Sequence, residues 1–97
     1  MKTVIESPTF TRNADREWTL DERLEFVSWI AVNPTAGDVI PNADGVRKVR
    51  WSTKDTGKRG GVRVIYFNID QDILLLIDMY KKNKKADISI KEIKKAQ

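Results

Sequence analysis

An almost unbroken apolar run in the second half of the chain is the feature that most constrains its fold. Residues 73–80 read Ile-Leu-Leu-Leu-Ile-Asp-Met-Tyr, with Asp78 as the single charged residue. The run is too short to cross a membrane, and it is typical of a β-strand that is buried on both faces. It therefore predicts a sheet with this strand at its centre.

Three other segments have the sequence pattern of strands. Residues 2–6 are rich in β-branched side chains, and residues 62–69 form a second apolar run, joined to the long one by a tight turn near residues 70–71. From Gly45 the residues alternate with period two. One face of that strand receives Val46, Lys48 and Arg50, and the other receives Arg47, Val49 and Trp51.

Capping residues predict two helices between the first and second strands. Ser7 before Pro8 is typical of a helix start, and this helix extends to about Glu17. Thr19 and Glu22 form a capping box that begins a second helix, which ends at residues 33–34, Asn-Pro. Its apolar stripe is expected to contain Leu20 or Leu24, Phe26, Val27, Ile30 and Ala31.

The remaining segments are predicted to be connections, apart from a short terminal helix that begins at Ser89. Residues 34–44 are rich in Pro, Gly and Asn, with Val39 and Ile40 against the core, and residues 52–61 form a cationic hairpin loop. These elements predict an α+β fold for one domain over residues 1–97. An N-terminal strand and a two-helix hairpin pack on a twisted, mostly antiparallel sheet of about four strands, followed by the short C-terminal helix.

The composition limits the available chemistry. Among 97 residues there is no cysteine and no histidine, which excludes disulfides, thiol nucleophiles and zinc clusters and removes the commonest general base. Any catalysis must use lysine, arginine, tyrosine or carboxylates. Asp70, Asp72 and Asp78 lack a metal-ligand spacing, so neither a metal nor a cofactor is expected. Polar residues come too early for a signal peptide, and no stretch is long enough to cross a membrane, which favours a cytoplasmic protein.

Charge is unevenly distributed along the chain, although the formal net charge is only +4. Residues 1–46 have four basic and eight acidic side chains, whereas residues 47–63 have seven basic side chains and one acidic. Residues 81–97 have seven lysines and two acids. Two cationic blocks indicate an anionic partner, because concentrated charge steers phosphates more strongly than the average charge implies. A lysine-rich surface that serves only solubility is the alternative.

Lys48, Arg50 and Arg63 are the candidate catalytic residues. The first two share a strand face and the third lies on the hairpin neighbour, so the side chains converge if the register allows. Converging cations can hold a phosphodiester and stabilise the negative charge that develops during its cleavage. Because RNA supplies its own 2′-hydroxyl nucleophile, a protein without histidine can still cleave it, with a lysine of lowered pKa as the base. The structural alternative is an edge strand guarded by cations against aggregation.

The aromatic residues divide into two groups. Tyr66 and Tyr80 are candidates for stacking on a base, with a half-buried strand position as the alternative for Tyr66. Trp18, Trp29 and Trp51 are expected in the core.

Four short motifs in order resemble one protein family. They are Gly37-Asp38-Val39-Ile40-Pro41, Gly45-Val46-Arg47-Lys48-Val49-Arg50-Trp51, Gly57-Lys58-Arg59-Gly60-Gly61-Val62-Arg63-Val64-Ile65-Tyr66, and Tyr80-Lys81-Lys82-Asn83 with Asp87-Ile88-Ser89. From Thr3 to about Ile93 the chain resembles the HigB branch of the RelE/ParE toxin superfamily. The resemblance implies a bacterial type II toxin that enters the ribosomal A site and cleaves translated mRNA. A HigA-like helix-turn-helix antitoxin would neutralise it, and operator DNA would be bound only through the complex of the two.

The resemblance also implies roles for individual residues. Lys48 and Arg50 match the family's cationic pair on its second strand, Arg63 matches its arginine on the third, and Lys82 matches a basic residue after the fourth. These four residues form the implied catalytic set. Contacts to mRNA or ribosomal RNA are implied for Arg47, Lys58, Arg59 and Tyr80. Relatives have a tyrosine in the C-terminal segment that assists the nucleophile, but no aromatic residue follows Tyr80 here, so Lys48 is the candidate general base.

Two other functions remain compatible with the sequence. ParE-like members of the same superfamily are non-enzymatic inhibitors of DNA gyrase, although that branch generally lacks the paired strand cations. A non-catalytic RNA-binding module would use the same cations, and its RNA binding would depend on salt without yielding a cleaved product.

Overall fold

The computed structural model describes residues 1–52 and 61–81, together with residues 91, 93 and 95. In this part of the chain the order is β1 (Thr3–Glu6), α1 (Pro8–Glu17), α2 (Leu20–Val32), β2 (Asp38–Val39), β3 (Arg47–Trp51), β4 (Val62–Asn68) and β5 (Ile73–Lys81). Residues 91, 93 and 95 are helical, as expected for the short C-terminal helix. The predicted start of that helix at Ser89 and residues 53–60 of the predicted loop lie outside the described residues.

The described strands form one mixed sheet in the order β1-β5-β4-β3-β2. β1 runs parallel to β5, and the other three neighbouring pairs are antiparallel. The fold is therefore α+β with a mostly antiparallel sheet, as predicted, but the sheet has five strands where about four were expected. The apolar strand β5 has a strand on each side, β1 and β4, as expected of an interior strand. It is not at the centre as predicted, because only β1 lies beyond it, and β4 occupies the centre.

Local signals place both helices correctly. The Ser7 side chain accepts a hydrogen bond from the backbone N–H of Phe10, with Pro8 in the first turn of α1. Thr19 and Glu22 form the predicted capping box of α2. Each cap satisfies backbone donors that a helix start would otherwise leave without partners.

The helices cover one face of the sheet, which we call the helical face. Its core joins Phe10, Ala14, Trp18, Phe26 and Ile30 of the helical layer to the strand residues Val49, Val62, Val64, Tyr66, Leu74, Leu76 and Met79. The three tryptophans belong to this cluster, as predicted, and the Trp29 and Trp51 ring centroids are 4.8 Å apart. The expected stripe of α2 is wrong at Leu20 and Leu24, which are 68% and 52% exposed, because the buried side of α2 is centred on Phe26 and Ile30.

The opposite face of the sheet, which we call the open face, is covered less completely by the residues that the structure describes. A second apolar cluster on it contains Val46, Ile65, Ile77, Tyr80, Ala43 and, from the C-terminal segment, Ile93. Residues 34–44 were expected to be a connection only, but Asp38–Val39 pairs with β3 as an edge strand. Ile40 packs against the second cluster, whereas Val39 is 52% exposed, so the expected burial of Val39 is wrong. Both residues of β2 are exposed, because β2 is an edge strand of the sheet and has a neighbouring strand on one side only.

Candidate functional site

The strand register brings the predicted cations together on the open face. Arg50 of β3 lies directly opposite Arg63 of β4, and Arg63 lies directly opposite Tyr80 of β5. Directly opposite residues share a sheet face, with Cβ atoms about 4.5–5.5 Å apart. The sequence predicted that these cations converge only if the strand register allows it. For Arg50 and Arg63 the register does allow it. We call Arg50, Arg63 and Tyr80 the cross-strand row.

Lys48 lies two residues before Arg50 and hence on the same face, about 7 Å away along the strand. Its cross-strand neighbours are Asp38 of β2 on one side and Ile65 of β4 on the other. Asp38 places a carboxylate beside the cations. The pairing of Asp38 with Lys48 was not predicted, because residues 34–44 were expected to contain no strand.

The two arginines of the row differ in their access to solvent. Arg50 is exposed, whereas Arg63 is 7% exposed and is one of few buried charged residues among those described. Burying a guanidinium costs free energy unless its surroundings compensate the charge. Arg63 therefore supplies a fixed positive charge at the base of the row, with Arg50 above it at the surface.

A β-bulge in β5 determines which face receives Tyr80. Ile65 pairs with Asp78 while the next residue, Tyr66, pairs with Leu76, so β5 has one extra residue at this point. Strict alternation would put Leu76 and Tyr80 on the same face, but Leu76 belongs to the helical cluster and Tyr80 to the open-face cluster. Bulges re-aim side chains in this way and are common near active sites.

Tyr80 is 9% exposed in this arrangement, and its ring packs in the open-face cluster with Ile77 and Ile93. A ring buried to this extent presents little of its surface to a base. Its predicted contact with RNA therefore requires the open-face cluster to rearrange, whereas its position beside Arg63 is already set by the register.

Arg47 points away from the other cations, as the alternation predicted. Its guanidinium donates to the Gly37 carbonyl at 2.6 Å. The Tyr66 hydroxyl donates to the Pro34 carbonyl at 2.9 Å and accepts from the Gly37 N–H at 3.0 Å. These bonds attach the segment before β2 to the sheet and thereby hold Asp38 opposite Lys48.

Burial is the main cause that raises the pKa of the Tyr66 phenol above its ordinary value, and the hydrogen bond from Gly37 opposes it. The ring is completely buried, so Tyr66 is unavailable for base stacking. It has the strand position that was the alternative, but it is fully buried where half-burial was expected.

The remaining predicted residues are distributed as follows. Lys58, Arg59 and Lys82 lie outside the described residues. Asp70 has the predicted turn role, since its side chain accepts from the N–H groups of Asp72 and Ile73 at 2.7 and 2.9 Å. The Asp78 side chain accepts from the Asn13 amide of α1 at 2.6 Å. Within residues 1–52 and 61–81 and at the three further positions, no group of three potential ligands could hold a metal ion.

Comparison of the chain with protein-family models finds no match. Among the described helices, none combines the length and apolar composition that crossing a membrane would require.

Proposed function

We propose that the protein is a ribosome-dependent endoribonuclease of the HigB type, the toxin of a type II toxin–antitoxin pair with a RelE-like fold. The observation that carries the proposal is the convergence of Lys48, Arg50 and Arg63 on one face of the sheet. Neighbouring strands rarely place like charges directly opposite each other, because the pair costs stability. A functional use for the charge is the simplest reason to keep it there.

The arrangement supports phosphodiester chemistry in three respects. Arg63 supplies a buried positive charge that need not reorganise during the reaction, and preorganised charge is the most effective form of transition-state stabilisation. Arg50 is exposed and can form a two-pronged contact with phosphate oxygens. Lys48 lies on the same face, two residues before Arg50 on β3, and is the proposed acceptor of the 2′-hydroxyl proton.

The reaction proposed is attack of the 2′-oxygen on the adjacent phosphorus. The O2′–P bond forms, the P–O5′ bond breaks, and the 2′ proton passes to the amine nitrogen of Lys48 while the leaving 5′-oxygen is protonated from solvent. No cofactor takes part. Lys82 is proposed to complete the catalytic set, and Arg47, Lys58, Arg59 and Tyr80 are proposed RNA or ribosome contacts.

The partners follow from the same proposal. The ribosome would present the mRNA in its A site, because the row offers phosphate-binding charge but few groups that read base edges. A HigA-like antitoxin would neutralise the protein in the cytoplasm, and operator DNA would be reached only through that antitoxin.

Primer extension on an mRNA translated by purified components tests the proposal. The protein should produce cuts within the translated region, and free mRNA without ribosomes should stay largely intact. Replacing Lys48, Arg50 or Arg63 by alanine should each lower the cleavage rate about 100- to 1,000-fold, as removal of one preorganised donor does. Arg12→Ala is the matched control, because Arg12 is an exposed arginine of α1 outside the sheet.

Four results would count against the proposal. Intact mRNA at protein concentrations that stop translation would exclude the nuclease. Full cleavage by all three alanine variants would remove the row from the mechanism. Inhibition of gyrase supercoiling without cleavage would favour the ParE-like alternative, and salt-dependent RNA binding without product would favour a binding module.

A further inference from the structure

The β-bulge of β5 decides which residue lies beside Arg63. Up to the bulge Tyr66 pairs with Leu76, and beyond it Arg63 pairs with Tyr80. If β5 continued from Leu76 without the extra residue, Met79 would lie opposite Arg63. Tyr80 would then turn toward the helical face. The bulge therefore places a phenol ring, which can stack on a guanidinium, where a thioether would otherwise lie.

The N-terminal cap of α1 holds the bulge. The Ser7 N–H donates to the Leu76 carbonyl at 2.9 Å. Its hydroxyl donates at 2.5 Å to the next carbonyl, that of Ile77, which is the residue that the pairing with β4 skips. In a regular strand the carbonyls of successive residues point to opposite neighbours, so two that reach one residue show that the backbone departs from regular pairing. The same hydroxyl oxygen accepts from the Phe10 N–H, so one side chain joins the start of α1 to the bulge.

Further along α1, Asn13 binds Asp78, the first residue of β5 that is paired after the bulge. Its amide group donates to Asp78 Oδ1 at 2.6 Å, and the Met79 N–H donates to the same oxygen at 2.7 Å. The amide oxygen of Asn13 accepts from the guanidinium of Arg16 at 2.8 Å, and because a guanidinium can only donate, this bond orients the amide. Asp78 is 8% exposed, and a buried carboxylate requires such hydrogen bonds to compensate its charge.

α1 follows β5 beyond the bulge as well. β1 ends opposite Leu76, so among the described residues no strand lies beside the later part of β5 on that side. α1 packs against β5 there, and the Lys81 amine lies 3.3 Å from the Glu17 carboxylate. Side chains of α1 therefore contact β5 both before and after Tyr80.

We infer that α1 is a positioning element for the cationic site and acts through the bulge of β5. Two of its contacts, those of Ser7 and Asn13, hold the bulge. The bulge in turn sets Tyr80 opposite Arg63. A ring fixed beside Arg63 restricts where its guanidinium can lie, and preorganised charge is the most effective in stabilising a transition state. The effect on cleavage rests on the proposed function, whereas the effect on the position of Tyr80 does not.

Fluorine NMR of the full chain labelled with 3-fluorotyrosine reports the surroundings of Tyr80. The chain has two tyrosines, so Tyr66 gives a second resonance in the same spectrum, and Tyr80→Phe identifies each of them. Asn13→Ala should shift or split the Tyr80 resonance and leave the Tyr66 resonance in place. Arg12→Ala is the matched control, because Arg12 is the preceding residue of α1 and is exposed, and neither resonance should move.

Replacements of Asp78 separate the geometry of its hydrogen bonds from its charge. Both bonds end on Oδ1, and an asparagine keeps an oxygen in that position. Asp78→Asn should therefore retain the wild-type Tyr80 resonance, whereas Asp78→Ala should shift it as Asn13→Ala does. Asn13 is only partly buried, so its replacement keeps the test open if Asp78→Ala fails to fold.

The two helix caps give a second matched pair. Ser7→Ala removes the cap of α1 together with the bond to Ile77, and it should shift the Tyr80 resonance. Thr19→Ala removes the corresponding hydroxyl of α2, and it should not.

Cleavage of translated mRNA tests the consequence for the site. Asn13→Ala should lower the cleavage rate at saturating ribosome concentration about 10- to 100-fold, because a displacement of about 1 Å in a reacting group has an effect of this size. The ribosome concentration at half the maximal rate should change less than about threefold, since α1 is not a proposed ribosome contact. Asp78→Asn should cleave at least about tenfold faster than Asp78→Ala, and Thr19→Ala should cleave as the wild type does.

Three outcomes would overturn the inference. An unmoved Tyr80 resonance in Asn13→Ala and Ser7→Ala would show that α1 does not hold the bulge. Equal shifts in Arg12→Ala or Thr19→Ala would assign the effect to a general loosening of the fold. A shifted resonance with full cleavage would show that the position of Tyr80 has no part in the site. If the wild type itself cleaves no mRNA, the proposed function fails, and the fluorine spectra still decide whether α1 positions Tyr80.

Discussion

Replacing Arg50 by glutamine is expected to stabilise the folded protein and, at the same time, to remove most of its cleavage activity. Arg50 lies directly opposite Arg63, which is 7% exposed. Two positive charges separated by about 5 Å, the Cβ spacing of directly opposite residues, repel by about 0.8 kcal/mol in water and by about 3 kcal/mol at an effective dielectric constant of 20. Because Arg50 is exposed, the lower part of that range applies, and we expect a gain of about 0.5–1 kcal/mol in the free energy of unfolding.

Urea denaturation, followed by the fluorescence of the core tryptophans, measures this gain. It should be present at about 0.01 M salt and largely disappear at about 1 M, where the screening length falls to about 3 Å. Arg12→Gln makes the same change of charge on α1, away from the sheet, and should alter the free energy of unfolding by less than about 0.5 kcal/mol. Cleavage of translated mRNA should fall about 100- to 1,000-fold in Arg50→Gln and stay unchanged in Arg12→Gln.

A gain in the free energy of unfolding together with a loss of cleavage would show that Arg50 is kept for function and not for stability. If Arg50 served only to guard the sheet, its replacement would leave cleavage intact. The reasoning would be refuted if Arg50→Gln lowered the free energy of unfolding by more than about 0.5 kcal/mol at low salt, or if its effect on stability were independent of salt.

Four further predictions follow from the described contacts. Tyr66→Phe leaves the buried N–H of Gly37 without the phenol oxygen and should lower the free energy of unfolding in urea by about 1–3 kcal/mol; an unchanged value would contradict the bridge. Burial in the folded protein raises the pKa of Tyr66, so the phenol ionises first in the unfolded chain, and the free energy of unfolding should fall as the pH rises above about 10. Between about pH 9 and pH 11 the wild type should lose more free energy of unfolding than Tyr66→Phe, and equal losses would argue against a buried phenol. Asp38→Asn removes the carboxylate opposite Lys48 and should tighten binding of a short RNA about fivefold in fluorescence anisotropy, whereas weaker binding would show that the carboxylate assists the site. Gly61→Ala should destabilise the fold by more than about 1 kcal/mol in thermal unfolding, because a Cβ at its φ of 61° would lie 2.0 Å from a carbonyl oxygen of β3; a smaller loss would mean that the backbone there can relax.

Helix boundaries were predictable because their causes are local. Ser7 and Thr19 cap helices whose first turns lie within three residues of them, so neither cap needs information from distant parts of the chain. The buried side of α2 was predicted less well. Leu20 and Leu24 satisfy helical spacing as well as Phe26 does, and only packing against the sheet selects among them.

The cationic face was predictable in part. Alternation on β3 shows that Lys48 and Arg50 share a face, because side chains alternate along any extended strand. It does not show which residue of β4 lies opposite, since that depends on the register set by the hairpin. The sequence therefore left open whether Arg63 lies opposite Arg50, and the strand register shows that it does.

Two features of the site had no adequate sequence signal. The bulge in β5 shifts the alternation so that Tyr80 faces the cations, although strict alternation from Leu76 would turn it toward the helices. Asp38 enters the sheet because Arg47 and Tyr66 bind the segment before it through hydrogen bonds that span 10 to 32 residues.

By itself, the sequence determined the α+β class, the two capped helices, the positions of every described strand except β2, and the presence of paired cations on one strand face. These depend on composition, periodicity and interactions between near neighbours. Tertiary structure alone decided which cations meet across strands, which face receives Tyr80, and where Asp38 lies. Those features depend on register and packing between residues far apart in the chain, where a shift of one residue reverses every side chain of a strand.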